Sequence, residues 1–187
     1  TLVTFTRRAC FGPGSYHDVR VLALRDLHVE WSCQAGAFPD LSTLILRPYK
    51  AGPGGADWVR ALFANPESVP ALREVRVENH WGDDVAAFLL ESPLISQLRC
   101  LDFTNVTDRG AAVLYEHASK LESVEQSWVA STKEGRRTWN HYAAVSREEP
   151  RPPPAFGELE ISDAWRTRLR QHFGRRVRFD LRRAIER

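Results

Sequence analysis

Methionine is missing from all 187 residues, position 1 included. The sequence is therefore expected to be a fragment or a processed piece of a longer protein, with any upstream targeting signal lying outside it. Cysteine is scarce as well. Cys10, Cys33 and Cys100 are odd in number and scattered; this excludes a fully paired disulfide framework and fits a reducing compartment, the cytoplasm. Their spacing matches no zinc pattern. No apolar run approaches the roughly 18 residues that span a bilayer, and the opening Thr1-Leu-Val-Thr-Phe-Thr lacks the basic-then-apolar layout of a signal peptide. Neither sign of charge dominates. The chain has 26 Lys and Arg against 24 Asp and Glu, a net charge of +2, so no global field draws it to nucleic acid or to a membrane. Catalytic signatures are also lacking. The six histidines are dispersed, with no His-Glu-x-x-His and no Gly-x-Ser-x-Gly. The glycines of Lys50-Ala-Gly-Pro-Gly-Gly55 are not followed by the Gly-Lys-Ser/Thr that a phosphate loop needs. No cofactor or metal is expected.

What the chain does have is an ordinary core-forming composition, 43% hydrophobic and 27% charged, and an internal repeat. Leu72-Arg-Glu-Val-Arg-Val77 has the spacing of Leu98-Arg-Cys-Leu-Asp-Phe103. Val19-Arg-Val-Leu-Ala-Leu24 and Leu41-Ser-Thr-Leu-Ile-Leu46 match it at positions 1, 4 and 6, and Leu121-Glu-Ser-Val124 begins a fifth copy. The starts at 19, 41, 72, 98 and 121 are separated by 22, 31, 26 and 23 residues. Self-similarity at steps of roughly 20–29 residues is the signature of a leucine-rich solenoid. The long second step accommodates the insertion Ala51-Gly-Pro-Gly-Gly55.

Each copy reads as a short strand, a polar turn and a helix. Alternation along the strand puts positions 4 and 6 inward. The core is therefore expected at Leu22, Leu24, Leu44, Leu46, Val75, Val77, Leu101 and Phe103. Helical stripes follow at Trp58, Val59, Leu62 and Phe63, at Val85, Phe88 and Leu89, and at Ala111, Leu114, Tyr115 and Ala118. Asp57, Asp83 and Thr107 are candidate helix starts, and Pro66, Pro70 and Pro93 fall where helices should stop. Before the repeats, Leu2, Val3 and Phe5 read as a short strand and Arg7 to Asp18 as loop. After Val124 the period is lost. Ser127–Ser131 and Thr138–Val145 read as a hairpin, with a helix from Ser131 capped through Glu134 as the competing reading. Glu148 to Pro154 is an extended, proline-stiffened linker. A helix begins at Ser162 or Asp163, presents Trp165, Leu169 and Phe173, and stops at Gly174; Val177, Phe179 and Leu181 suggest a last strand. The expected division is a repeat array over 1–126 and a C-terminal hairpin, linker and cap over 127–187.

Leu98-Arg-Cys-Leu-Asp-Phe-Thr-Asn-Val-Thr-Asp-Arg-Gly-Ala-Ala112 resembles a leucine-rich repeat of the ribonuclease-inhibitor-like type, in which a leucine-rich strand leads through a Thr-Asp-x-Gly-Ala turn into a helix. The resemblance spans roughly Val19 to Val124. It implies an α/β fold, a solenoid with parallel strands on one side and helices on the other. Asn79 and Asn105 stand one position earlier than the asparagine or cysteine of that family, which implies shortened turns. Leu169 to Phe179 is similar to the closing segment of some bacterial leucine-rich-repeat proteins.

If positions 4 and 6 face in, positions 3, 5 and 7 face out. Those are Val21, Ala23 and Arg25; Thr43, Ile45 and Arg47; Glu74, Arg76 and Glu78; Cys100, Asp102 and Thr104; Ser123, Glu125 and Ser127. A protein partner on this strand face, meeting chiefly Arg25, Ile45, Arg47, Glu74, Arg76, Glu78, Asp102 and Glu125, is the expected function, with no catalysis. The competing arrangement has the apolar positions covered by the chain's own N-terminal strand. A second reading uses the C-terminal charge: Arg151 to Arg187 holds ten arginines against five acidic residues, which could serve nucleic acid or an acidic partner, or be the solvated face of an amphipathic cap. A third is an enzyme with an unrecognised site. His80-Trp-Gly-Asp83-Asp84 is its best foothold, and a polar turn at a helix start explains the same residues.

Overall fold

The computed structural model describes residues 1–47, 57–77, 82–103, 106–129 and 161–179. Seven strands form one sheet: β1 (Leu2–Phe11), β2 (Val21–Trp31), β3 (Thr43–Arg47), β4 (Glu74–Val77), β5 (Cys100–Phe103), β6 (Gln126–Val129) and β7 (Val177–Arg178). They lie side by side in chain order, and every neighbouring pair is parallel. The fold is therefore α/β. Among the described residues, four α-helices accompany the sheet: α1 (Asp57–Ala64), α2 (Gly82–Glu91), α3 (Asp108–Glu116) and α4 (Asp163–Phe173). Each packs against the next in line, as right-handed crossovers between adjacent parallel strands require. Among the described residues no helix is long and apolar enough to cross a membrane.

The core follows the strand alternation. Leu22, Leu24, Leu44, Leu46, Val75, Val77, Leu101 and Phe103 are all at most 1% exposed. Cross-strand register aligns Leu22 with Leu44, Leu44 with Val75 and Val75 with Leu101. Val59, Leu62, Phe63, Val85, Leu89, Ala111 and Leu114 close the layer from the helical side. Phe88 is only partly buried, and Arg60 lies 4.4 Å from its ring centroid. A 3-10 turn follows α1 at Pro66 and α2 at Pro93, where proline's missing N–H is no loss.

The first strands run longer than the repeat suggests. β1 continues through Arg7 to Phe11, where a loop was expected, and pairs with β2 as far as Trp31 across a register shift between Thr6 and Arg8. The far end is anchored by aromatic packing. Tyr16 stacks on Phe38 with centroids 4.5 Å apart, and Phe11 meets both rings edge-on. β1 lies beside β2 in the sheet, so it does not lie across the strand face.

The fifth copy also differs. Cys100 pairs opposite Gln126 and Leu101 opposite Ser127, so the copy starts at Val124 and not at Leu121. The steps become 22, 31, 26 and 26 residues. Leu121 closes the 3-10 turn Ala118–Leu121. Leucine spacing alone selected it because the true copy carries Val124 and Ser127 where its predecessor has Leu98 and Leu101. Of the hairpin's expected first arm, Ser127–Ser131, residues 127–129 belong to β6, parallel to β5 and β7, and 130–131 lie outside the described residues. The second arm, the proline-rich linker, the glycines at 52–55 and His80 lie outside the described residues. The sheet runs through the expected division at 126/127.

Two polar ties join successive units. At the helix N-termini a carboxylate reaches the next helix's cap. Asp83 accepts from Thr107 N at 2.9 Å and from Thr107 Oγ1 at 2.5 Å, while Thr107 caps α3 by accepting from Arg109 N. Asp108 repeats the tie by accepting from Ser162 N at 2.6 Å, and Ser162 caps α4. At the other end a side chain donates to carbonyls of the preceding unit. Asn65 bonds Cys33 O, Gln97 bonds Val69 O and Leu72 O, and Arg176 bonds Leu121 O and Val124 O. α4 is thus tied to α3 as α3 is tied to α2, despite the intervening stretch.

Gly110 is the residue that makes room for the first tie. A Cβ there would stand 2.2 Å from Asp83 Oδ1 and 2.9 Å from Val106 Cγ1. Asp83→Ala should cost about 1–3 kcal/mol by leaving partly buried donors unmet, and Gly110→Ala about 1–3 kcal/mol by overpacking. Measured by urea unfolding, Gly110→Ala should cost less in the Asp83→Ala background than alone, because its nearest obstruction has gone. Strict additivity would show that the carboxylate is not what Gly110 accommodates.

Candidate functional site on the strand face

The outward rows of the sheet are continuous. One runs Leu2, Val21, Thr43, Glu74 and Cys100 in register; the next runs Thr4, Ala23, Ile45, Arg76 and Asp102, and Gln126 and Trp128 hold the matching register positions on β6. Apolar residues dominate over β1–β3 and charged ones over β4–β5. Ile45 is half-buried. Ala23, expected to face out, is only 3% exposed and stands between Thr4 and Ile45 in the register.

The charged half is braced. Arg76 Nε donates to Glu74 Oε1 at 2.8 Å, and Nη2 lies 2.8 Å from the same oxygen. Thr43 Oγ1 donates to Glu74 Oε2 at 3.1 Å, and Cys100 Sγ lies 3.6 Å from Oε1. Burial opposes the Glu74 charge, but the Arg76 hydrogen bond and charge outweigh it, so the carboxyl sits below its ordinary pKa. Burial likewise opposes the Arg76 charge, yet Glu74, helped by Asp102, leaves its pKa raised. Burial first, then Glu74 and Asp102, push the Cys100 thiol up to about 12. Burial alone pushes Cys33 to about 11. A thiolate is the nucleophilic form, so neither cysteine is activated. Asp83, one of the two carboxylates of the suspected acid–base cluster, is engaged with Thr107. Among the described residues, no group of three or more His, Cys, Asp or Glu side chains is placed to hold a metal.

No protein-family profile and no curated protein matches the chain. Among solved structures, a protein from Bacteroides fragilis is similar, at 17% identity and a TM-score of 0.47. The likeness covers 70% of this chain and 40% of that one.

The remaining expected contact residues divide. Arg47 ends β3 and pairs opposite Arg25, which lies midway along β2. Glu78 lies outside the described residues, as does Thr104. Glu125 is displaced from the face by the corrected start of the fifth copy. It precedes β6, and its exposed carboxylate lies 4.0 Å from Arg99 Nε. Gln126 and Trp128 take the register positions that Ser123, Glu125 and Ser127 were expected to fill. The glutamate-to-arginine brace within β4 was legible as a position 3/position 5 pair, since side chains two apart share a face. Its union with Thr43 and Cys100 required the register.

Proposed function

We propose that the chain is a leucine-rich-repeat solenoid of the ribonuclease-inhibitor-like type, and that it binds another protein on its strand face without catalysis. The repeat steps, the Thr107-Asp108-x-Gly110-Ala111 turn and the chain-order parallel sheet support the first part. The second part rests on one observation: two in-register rows that pass from chiefly apolar residues over β1–β3 to charged ones over β4–β5, with Glu74 and Arg76 already fixed against each other. A preset ion pair loses little freedom when a partner arrives, and its polarity selects orientation more than it adds affinity. Ile45 supplies apolar contact beside it.

Area sets the strength. The seven strands hold 40 residues, which at about 3.3 Å each and about 4.8 Å between strands present on the order of 600 Å². That is about three quarters of what a stable interface contributes per partner. The expected complex is transient, with a Kd in the micromolar range, unless the partner also covers the strand ends.

The test uses the intact protein as bait, then measures Kd for the captured partner. Ile45→Lys combined with Arg47→Glu and Asp102→Lys should weaken capture tenfold or more. The melting temperature should shift by only a few degrees. Reversal at Arg76 is less informative because it strands Glu74 half-buried. Undiminished capture by the triple variant would remove the strand face as the binding surface.

A further inference from the structure

The outer side of the helical layer carries a second surface. Tyr115 on α3 meets Trp165 and His172 on α4 edge-to-face, with ring centroids 5.9 and 5.4 Å apart. The Arg168 guanidinium lies 5.0 Å from the Trp165 centroid. Positions 165, 168 and 172 are spaced by three and four residues, so ring, cation and ring share one stripe of α4. Arg175 continues the step just past the helix. Arg168, His172 and Arg175 are exposed and Trp165 is half-buried. Tyr115 is 40% exposed.

Packing accounts for only part of this. Leu169 and Phe173 are buried in the core, and Trp165 packs partly against it. Of six arginines between Ser162 and Phe179, against the single Asp163, Arg176 is engaged with carbonyls and Arg166 and Arg170 lie over Phe179. Arg168, Arg175 and Arg178 are exposed, as is Glu116 on α3; Arg168 lies over Trp165, while Tyr115 and His172 keep exposed ring surface. Cations alternating with exposed rings match a strand of phosphates and unstacked bases. An acidic protein segment would use the arginines and leave the rings idle. A duplex hides its base faces.

We propose that the α3/α4 surface binds single-stranded nucleic acid, stacking bases on Tyr115 and His172 and placing phosphates on Arg168 and Arg175. This is independent of the strand face, on the other side of the sheet.

Fluorescence anisotropy of a labelled 12-nucleotide oligouridylate, titrated with the full chain between 50 and 200 mM salt, tests it. Two arginines predict a slope of about −1.4 for log K against log salt. Arg168→Ala should reduce that slope by about 0.7. Tyr115→Leu keeps apolar contact but removes the ring; it should weaken binding about fivefold or more at unchanged slope. A blunt duplex should bind less tightly than the single strand. The proposal is overturned if no binding occurs at 50 mM salt, or if polyglutamate competes as well as the oligonucleotide. It is overturned too if a folded Tyr115→Leu protein binds as the parent does. Should that variant fail to fold, the parent's salt slope and the Arg168→Ala change decide the matter.

Discussion

A chain ending at Pro154 will aggregate or lose most of its thermal stability. Its last apolar layer, Leu101, Leu114, Leu121 and Val124, faces Leu169, Phe173 and Val177 across a cavity of only ≈ 10 Å³. Truncation takes away that cover, the β7 pairing with β6, the Arg176 bonds to Leu121 O and Val124 O, and the acceptor role of Asp108. Burying one leucine-sized side chain is worth about 1.5–3 kcal/mol, and three such side chains go at once. The sum is comparable to the whole stability of an ordinary domain. Leu169→Asp is the milder version, placing an unpaired carboxylate at a position of 0% exposure. Size-exclusion chromatography and thermal melts of both variants read the effect. A truncated chain that stays monomeric with the parent melting temperature would make α4 an appendage and not a cover.

Legibility in the sequence tracked chemistry that is local. Strand alternation and a six-residue spacing located all eight inward positions, because a side chain buried on both sides must be apolar wherever the chain runs. Helix α4 was readable at both ends, since Ser162 can cap and Gly174, with φ 58° and ψ −128°, can take a positive-φ conformation that side-chain-bearing residues resist. What could not be read depended on neighbours remote in the chain. Val124 and Ser127 are poor leucine mimics, and only pairing with β5 identifies their copy. Asp83 reads as a helix-start residue, yet its carboxylate serves the cap of α3. Gly110 inside a helix costs about 1 kcal/mol relative to alanine, and that cost was a visible sign that something approaches closely there. Tyr115 has the spacing of a core residue but sits at the rim of its stripe, where α4 covers only part of the ring.

Leu101→Ala should cost about 3–5 kcal/mol. The range for leucine truncation is about 2–5 kcal/mol and grows with the void left behind. Three features place Leu101 high in it. It is 1% exposed; its strand is paired on both sides, by β4 and β6; and it already lines the cavity beneath α4, so the new void adds to an old one. The void would be apolar, and water would gain no partners by entering it. Urea unfolding should show a lower midpoint with an unchanged m-value. Glu122→Ala, an exposed change in the neighbouring turn, should stay within about 0.5 kcal/mol. Because Leu101 and Leu169 face the same cavity, Leu101→Ala with Leu169→Ala should cost less than the sum of the two. If Leu101→Ala proves as mild as Glu122→Ala, position 4 does not face the core and the alternation that organises the chain is wrong.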